Sequence, residues 1–355
     1  MKKFNPKDNL NDNNLNEEVM IPYFIAEAGV NHEGSLENAF RLIDDAKEGG
    51  ADAIKFQTYK AEKIASKFSP SYWDLNFEPT KSQYELFKKY DTFSNDDYEA
   101  LKLRCDQVGI EFMSTPFDFD SAIFLNDLVN IFKISSSDIT NRPFIELIDS
   151  FKKPLILSTG ASSIKEVQAA VSWLSEDVNL ILLHCILNYP TTNDNANLGM
   201  VLDLKNKFRV PIGYSDHTLP GEMTNLIYAI LLGVVVIEKH FTFDKTLPGN
   251  DHYHSCDKND LKLYQENLMQ LKALLGSFKK EFLESEKISR QNARRSIVAL
   301  KDLEAGETIR YEDFTFKRPG TGIPPYKFND ILGKRLKNRV QEDQLIADSD
   351  ILEKD

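Results

Sequence analysis

The sequence predicts an α/β fold, a (β/α)8 TIM barrel followed by a small β-rich domain. Eight short apolar runs alternate with stretches of helical period, and every run ends in polar side chains. After about residue 278 this alternation stops, and short β-type runs are separated by turn signals such as Arg318-Pro319-Gly320. A doubly wound open sheet is the structural alternative, but no GxGxxG follows the first run.

The candidate elements follow one another in chain order. The apolar runs predict strands at 23–26, 53–56, 110–113, 131–134, 155–157, 180–183, 210–212 and 234–237. The amphipathic stretches predict helices that include 36–48, 96–108, 143–151, 164–174 and 222–232. One interval is longer than the others, because residues 58–92 form an insertion rich in aromatic residues and lysine.

Composition divides the chain into four segments. Residues 1–20 are polar, which predicts a flexible arm, and 21–278 carry the barrel pattern. A charged linker, 279–290, precedes the β-rich domain at 291–355. The net charge of −12 argues against a nucleic-acid or anionic membrane surface. Three cysteines without a CxxC, no apolar leader and no apolar run near twenty residues predict a soluble cytoplasmic protein.

The residues that end the predicted strands are all polar. In a barrel enzyme the carboxyl ends of the strands form the active-site face, so this pattern predicts a catalytic barrel. These residues, in chain order, are Glu27, Lys55 with Gln57, 114–115, Lys133 with 135–137, 158–159, His184, His217 and His240.

Four of the six histidines lie between residues 211 and 254. His217 and His240 follow successive predicted strands, so both imidazoles would point into one barrel mouth and could hold a divalent metal. The alternative is that each histidine caps its strand by hydrogen bonding. His252 and His254 lie on a loop rich in Gly, Asn and Asp, where we expect them to be exposed to solvent.

Two lysines and two glutamates share the same predicted face. Lys55 and Lys133 end buried strands, where a lysine without an anionic partner would be costly. The partner is either a bound anion or one of the carboxylates of Glu27 and Glu238. Glu238 lies two residues before His240 and therefore faces the same side of its strand, where it would either orient the metal site or act directly.

Several motifs together resemble one enzyme family. They are IAEAGVNHEG at 25–34, ADAIKFQTY at 51–59, MSTPFD at 113–118, LSTGAS at 157–162, GYSDHT at 213–218 and EKHFT at 238–242. The chain resembles the sialic acid synthases, which condense phosphoenolpyruvate with an N-acyl amino sugar to make nine-carbon nonulosonic acids. Its last part resembles the antifreeze-like (SAF) domain of those enzymes, and the resemblance covers roughly residues 23–351.

The resemblance implies a role for each matching residue. It implies that Glu27 and Glu238 are catalytic and that His217 and His240 bind a divalent metal, Mn²⁺ first and Mg²⁺ or Co²⁺ as alternatives. The phosphoenolpyruvate-binding residues would be Lys55, Thr115, Lys133, Ser136 and Ser158. The sugar-binding residues would be Gln57, Tyr189, Asp251 and Arg318.

The resemblance also implies an assembly. Arg318 matches an arginine that reaches the sugar from the partner subunit, which implies a domain-swapped homodimer. One stretch departs from the family pattern, since residues 186–190 read Ile-Leu-Asn-Tyr-Pro where Thr-Asn-x-Tyr-Pro is expected, so that Asn188 is displaced by one position. The acceptor sugar is left open among N-acetylmannosamine, a diacetylated 6-deoxy analogue and an altrosamine-type sugar.

Two other functions compete with this one. The first is condensation with an aldose phosphate, as in the 3-deoxy-octulosonate-phosphate synthases, which lack the domain that carries Arg318. The second is a non-catalytic carbohydrate-binding or ice-binding protein, which the retained acids, lysines and histidines argue against.

Overall fold

The computed structural model describes residues 1–8, 19–76, 78–249 and 251–352. The chain divides into two compact units, Met1–Gly276 and Ser277–Asp355. The predicted linker, 279–290, falls in the second unit, where a helix begins before its end. Among the helices of the described residues, none is both long and apolar enough to cross a lipid bilayer.

Eight parallel strands form the sheet of the first unit. They are hydrogen-bonded in the order β3-β2-β1-β8-β7-β6-β5-β4, and β4 lies beside β3, so the sheet curls into a barrel. The predicted (β/α)8 barrel is confirmed. The strands are β1 Tyr23–Gly29, β2 Ala53–Thr58, β3 Glu111–Pro116, β4 Phe132–Ile134, β5 Leu155–Ser158, β6 Leu180–Cys185, β7 Ile212–Asp216 and β8 Val236–His240.

Helices connect the strands and cover the outside of the barrel. Their ends have local causes: the Ser35 and Ser94 side chains accept hydrogen bonds from backbone N–H groups at two N-termini, and Gly50 and Gly109 end the same helices at φ 90° and 73°. The helices are α1 Leu36–Gly49, α2 Ala61–Ile64, α3 Gln83–Tyr90, α4 Asn95–Val108, α5 Phe119–Leu125, α6 Arg142–Ser150, α7 Ile164–Ser172, α8 Gly199–Lys207, α9 Thr224–Leu231 and α10 Lys258–Leu275.

Alternation along each strand separates two cores. In β1, Phe24 and Ala26 belong to the apolar layer between strands and helices, whereas Ile25 belongs to a smaller cluster inside the barrel. Glu27 lies two residues beyond Ile25 and therefore faces the barrel interior near the carboxyl end of the strand. The inner core thus closes the amino-terminal end of the barrel and leaves polar side chains at the other end.

The first eight residues pack onto the barrel. Phe4 is only 3% exposed and joins the inner cluster, and its backbone N–H donates to the Ile21 carbonyl at 2.9 Å. Lys3 forms an ion pair with Asp52 at 2.6 Å. Residues 1–8 are therefore part of the barrel unit rather than of a flexible arm. The segment is polar on average, but its one phenylalanine, Phe4, packs into the inner cluster. The rest of the predicted arm, residues 9–18, lies outside the described residues.

The seventh strand lies further along the chain than predicted. We expected a strand at 210–212 followed by a polar loop, but β7 is Ile212–Asp216. Its polar residues are satisfied inside the barrel wall: the Ser215 hydroxyl donates to Glu238 at 3.0 Å, and Asp216 accepts from the Lys239 ammonium at 2.7 Å. Buried polar residues with partners can occupy a strand that an apolar pattern does not reveal.

The second unit contains a two-stranded antiparallel sheet of β9 (Ser296–Ala299) and β10 (Phe314–Lys317). Two short helices accompany it, α11 (Lys287–Ala293) and α12 (Phe328–Ile331). Its own core includes Ile297, and the predicted small β-rich domain is confirmed.

Candidate active site

One cavity of about 450 Å³ opens at the carboxyl ends of the strands. Every predicted site residue of the first unit lines it: Glu27, Lys55, Gln57, Thr115, Lys133, Ser136, Ser158, Tyr189, His217, Glu238, His240 and Asp251. The predicted strand-end residue His184 does not. It bonds to the Ala196 carbonyl at 2.9 Å and stacks on Tyr214, because alternation along β6 turns it outward and turns Cys185 into the cavity.

The floor of the cavity consists of Glu27, Lys55, Lys133 and Glu238, all of them buried. Lys55 forms an ion pair with Glu27 and lies 3.7 Å from Glu238, and Lys133 lies 3.6 Å from the other oxygen of Glu238. The Lys55 ammonium also donates to the Thr115 hydroxyl at 3.1 Å. The lysines therefore have carboxylate partners, as the salt-bridge alternative predicted, while they line a cavity that a ligand can enter.

The two glutamates of the floor have opposite pKa shifts. Burial raises the pKa of Glu27 above its ordinary value, and the lowering effect of Lys55 does not offset it. Burial also raises the pKa of Glu238, but Lys133 and Lys55 outweigh it, so the pKa of Glu238 lies below its ordinary value. Glu238 is thus the ionised member of the pair, and Glu27 is the one poised to exchange a proton near neutral pH.

Two serines complete the side of the floor near Lys133. The Ser136 hydroxyl accepts from the Gly160 N–H at 2.9 Å and lies 3.1 Å from the Cys185 sulfur. Within the described residues, the buried hydroxyl of Ser158 makes no hydrogen bond. Burial lowers the pKa of Lys133. A buried cation and a hydroxyl without a protein partner suit an anionic group of a ligand.

The two predicted metal-binding histidines are neighbours. Their ring centroids are 5.5 Å apart, and burial lowers the pKa of both, so both are neutral at pH 7. His217 Nδ1 lies 2.6 Å from the Ile186 carbonyl, which can only accept, so the Nε2 lone pair is the one left for a ligand. Buried His240 Nδ1 makes no hydrogen bond within the described residues.

These imidazoles fit a divalent metal by the chemistry of their donors, since neutral imidazole is a common metal ligand. The described residues contain no group of three or more His, Cys, Asp or Glu arranged to hold a metal ion. Two protein ligands would therefore leave the remaining coordination positions to water and substrate.

The expectation that His252 and His254 are exposed is wrong. They are 3% and 1% exposed. His252 Nδ1 lies 2.8 Å from the Thr242 hydroxyl, and His254 packs its ring 5.1 Å from that of His240. A loop rich in Gly, Asn and Asp is exposed on average, and here the loop folds inward over the histidine pair.

Two of the predicted sugar-binding residues, Tyr189 and Asp251, lie beside the histidines. Tyr189 lies 4.2 Å from His217 and 5.5 Å from His240 between ring centroids. An Asp251 oxygen lies 3.7 Å from His240 Nδ1. Gln57 donates to Glu27 at 3.2 Å and so links the rim to the floor. Arg318 follows β10 in the second unit, and its contact with a sugar stays a prediction.

A buried ion pair lies directly behind the histidines. Lys239 and Asp216, which precede His240 and His217 in sequence, are 1% and 2% exposed. The Lys239 ammonium donates to Asp216 and to the Thr218 carbonyl, both at 2.7 Å, and the Tyr214 hydroxyl donates to Asp216 at 2.9 Å. The pair therefore joins the ends of β7 and β8 and fixes the turn that carries His217. The sequence motifs contain both residues, but their pairing needs the register of the two strands.

Other cavity residues lacked a sequence signal. Tyr72 and Trp73 line the cavity from the insertion, where we noted only an aromatic-rich stretch. Cys185 and Leu187 line it at the end of β6 and just after it. The sequence pattern predicted their polar neighbour His184 as the residue facing the active site. The alternation of side chains along β6 and the path of the insertion decide which of two neighbouring residues faces the cavity.

Known proteins match this chain over nearly its full length. Residues 42–280 match the NeuB family, and 294–352 match the SAF domain. N,N'-diacetyllegionaminic acid synthase of Legionella pneumophila is 42% identical over 89% of this chain and 91% of its own. N-acetylneuraminate-9-phosphate synthase of Homo sapiens is 31% identical over 92% and 91%. The N-acetylneuraminic acid synthetase structure from Leptospira borgpetersenii, 36% identical, covers 76% of this chain and 90% of its own with a TM-score of 0.66. The chain therefore belongs to the NeuB family of sialic acid synthases and carries an SAF domain after its barrel.

Proposed function

We propose that this protein condenses phosphoenolpyruvate with an N-acyl amino sugar to a nine-carbon 2-keto acid and releases phosphate. The observation that carries the proposal is that one cavity holds two buried lysines, two glutamates of opposite pKa shift and a pair of neutral imidazoles. Phosphoenolpyruvate has a phosphate and a carboxylate, and Lys55 and Lys133 with the hydroxyls of Thr115, Ser136 and Ser158 offer donors to both.

The attacking water needs a proton acceptor. Carbon 3 of phosphoenolpyruvate forms a bond to the aldehyde carbon of the open-chain sugar, whose oxygen takes up a proton and becomes a hydroxyl, and carbon 2 becomes electrophilic. Water adds to carbon 2, and the hydroxyl so formed loses its remaining proton when the ketone forms and phosphate leaves by cleavage of the carbon–oxygen bond. The water gives up its first proton as it adds. Glu27 takes that proton in our proposal, because its pKa is raised toward the working pH of a general base and it lies in the floor beside Lys55.

His217 and His240 would hold the divalent metal, with Mn²⁺ as the first candidate. When bound, this ion supplies Lewis-acid polarisation of the sugar aldehyde. Glu238, which accepts from Ser215 and faces the same side of β8 as His240, keeps the lysines charged and the histidine end of the strand in place.

The acceptor in this proposal is an unphosphorylated, diacetylated 6-deoxy amino sugar. Support comes from the relative at 42% identity, whose name is that of a diacetyllegionaminic acid synthase, whereas the human relative at 31% has the name of a 9-phosphate synthase. The sequence identity of this chain is therefore higher to the diacetyllegionaminic acid synthase than to the human 9-phosphate synthase.

The test is phosphate release from phosphoenolpyruvate with Mn²⁺ and each of three acceptors: the diacetamido 6-deoxy sugar, N-acetylmannosamine and N-acetylmannosamine 6-phosphate. We expect sugar-dependent release, fastest with the diacetamido sugar, and a product with the mass of the nine-carbon keto acid. Lys133→Met should lose this release, whereas Lys207→Met, on the outer surface of α8, should retain it. Phosphate release without a sugar would contradict a condensation.

A further inference from the structure

A second cavity of about 240 Å³ opens beside the first. We call it the side lobe. It is lined by Tyr72, Trp73, Asp74, Leu187, Asn188, Tyr189 and Pro190. Four of these residues, Tyr72, Trp73, Leu187 and Tyr189, also line the main cavity, so the two spaces share walls. A ligand in the main cavity is therefore next to room for a substituent of several heavy atoms.

Aromatic and aliphatic side chains form part of the walls of the side lobe, beside the polar groups of Asp74 and Asn188. The Trp73 indole N–H already donates to the carbonyls of Glu78 and Thr80 at 3.1 and 3.0 Å, so only the carbon surface of its ring remains for a ligand. The Tyr72 ring lies 5.4 Å from that of Trp73 and is 62% exposed. Leu187 adds an aliphatic side chain. Aromatic and aliphatic surface left at the mouth of a polar cavity indicates contact with an apolar part of a ligand.

The charge of the side lobe excludes an anionic substituent. Its described lining contains the carboxylate of Asp74 and no lysine, arginine or histidine. A phosphate placed there would meet a like charge without a counter-ion, which is unfavourable. A neutral acylamino group fits better, because its methyl group can pack on the aromatic rings while its N–H donates to a carboxylate or carbonyl oxygen.

The lysines of the main cavity do not make the side lobe more favourable for an anionic substituent. Its described lining contains three lysines, and each has an acidic partner: Lys55 and Lys133 contact the floor carboxylates, and Lys63 pairs with Asp120. Two of the three lie at the floor, where the proposed function places phosphoenolpyruvate.

We infer that the side lobe binds a neutral acylamino substituent of the acceptor sugar, and that Tyr72, Trp73 and Leu187 select such acceptors over phosphorylated ones. This inference rests on the proposed function and assigns the residues that choose its second substrate. Asp74 Oδ1 already accepts from the backbone and side-chain amides of Asn76, both at 2.8 Å, so Oδ2 of Asp74 is the acceptor for the amide N–H of the ligand. The floor is common to every acceptor, so the side lobe acts on the ratio between acceptors rather than on phosphoenolpyruvate.

The experiment compares kcat/KM for the diacetamido 6-deoxy sugar, N-acetylmannosamine and N-acetylmannosamine 6-phosphate. Tyr72→Ala should lower the ratio of the diacetamido sugar to N-acetylmannosamine by about 3- to 10-fold, the effect of losing one ring contact. Leu187→Lys should lower that ratio and raise the relative rate with the 6-phosphate by roughly 10-fold, because it adds a cation to the lobe.

The matched controls are Tyr228→Ala and Leu202→Lys, which change an exposed tyrosine of α9 and an exposed leucine of α8. Neither residue lines a cavity described above, so the acceptor ratios should stay within about twofold of the wild type. Ratios that remain at the wild-type value in both side-lobe variants, with turnover retained, would overturn the inference.

Binding separates failure of the side lobe from failure of the proposed reaction. The chain has two tryptophans, so Trp173→Phe leaves Trp73 as the one indole fluorophore. In that background the diacetamido sugar should quench fluorescence, and Tyr72→Ala should weaken its apparent Kd by about 3- to 10-fold. If no sugar supports phosphate release but this quenching persists, the proposed condensation is contradicted, whereas the inferred binding of the sugar in the side lobe is supported. Absence of quenching at saturating sugar overturns the side lobe.

Discussion

The floor of the main cavity and the side lobe differ in burial, in charge and in the elements that carry them. The floor is built on β1, β2, β4 and β8, and its four charged residues are nearly inaccessible to solvent. The side lobe is built on the insertion and on the segment after β6, and its Tyr72 ring is largely exposed. Strands fix atoms more closely than loops do, so a rigid floor suits bond making and a loop-built lobe suits substrate choice.

The side lobe can vary in sequence without loss of the chemistry of the floor. The floor has a network in which each charged residue contacts another: Lys55 contacts Glu27 and Glu238, and Lys133 contacts Glu238. Replacing Lys55 leaves Glu27 without a cation, and replacing Glu238 leaves Lys133 without a carboxylate. A buried charge without a partner costs several kcal/mol. Side-lobe residues make few such contacts, so their substitution alters binding without that penalty. Substitutions in the floor should therefore have large effects on activity, and substitutions in residues that recognise the acceptor should have smaller ones.

Metal removal should have the largest effect. Treatment with EDTA should abolish phosphate release, and Mn²⁺ should restore it, because His217 and His240 can each offer a nitrogen to a metal. His217 Nε2 has only a long contact of 3.4 Å with the Ser215 hydroxyl, which donates to Glu238, and His240 Nδ1 makes no hydrogen bond within the described residues. His217→Ala should bind Mn²⁺ more weakly by electron paramagnetic resonance while keeping its circular dichroism spectrum. Full turnover in metal-free protein would contradict the assignment of the histidine pair.

Glu27→Gln should lower kcat by on the order of 10²–10⁴ and change the Kd of phosphoenolpyruvate little, because glutamine keeps the shape but cannot take a proton. Stopped-flow and equilibrium binding measurements separate the two quantities. Glu99→Gln, which changes an exposed glutamate of α4 that lines neither cavity, is the matched control and should keep kcat within about twofold. A near wild-type kcat in Glu27→Gln would move the proton acceptor elsewhere, to Glu238 first.

Lys239→Met should destabilise the protein by about 3–5 kcal/mol, because it leaves the Asp216 carboxylate buried without its cation. Lys207→Met removes one partner of the exposed pair with Asp203, and its effect should stay below about 1 kcal/mol. Urea unfolding measures both. Mn²⁺ affinity should also fall in Lys239→Met, because the turn that carries His217 loses the hydrogen bond from Lys239 to the Thr218 carbonyl. Equal stabilities of the two variants would refute a positioning role for the pair.

The fold and most of the floor could be predicted from the sequence, because both depend on patterns that are local in the chain. Glu27 and His240 each follow an apolar run, and the polar end of a barrel strand faces the active site. What could not be predicted depends on long-range packing. His254 is buried only because its loop folds over His240, and Phe4 is buried only because it packs into the inner cluster of the barrel. Neither event has a signature within ten residues of the side chain concerned.

A smaller effect than those on the floor is expected for the second unit. Arg318→Ala should raise the KM for the amino sugar by about 10-fold and leave the Kd of phosphoenolpyruvate unchanged, because the proposed contact is to a part of the acceptor that does not react. Steady-state kinetics with each substrate varied in turn measures this. Lys317→Ala, which changes the neighbouring residue and its exposed pair with Asp343, is the matched control and should leave both constants near the wild type.

Complementation decides whether Arg318 acts on its own barrel or on that of a partner subunit. In a swapped homodimer, a Glu27→Gln chain supplies an intact Arg318 to the barrel of an Arg318→Ala chain, whose Glu27 is intact. Equal mixing with free subunit exchange makes about half of the dimers mixed, each with one intact site of two, so about a quarter of wild-type activity should return. The assay is run at a sugar concentration well below the wild-type KM, where the Arg318→Ala parent keeps about a tenth of the wild-type rate and the Glu27→Gln parent far less. No recovery, with exchange shown by native mass spectrometry, would place Arg318 on its own chain's barrel and contradict the swapped dimer.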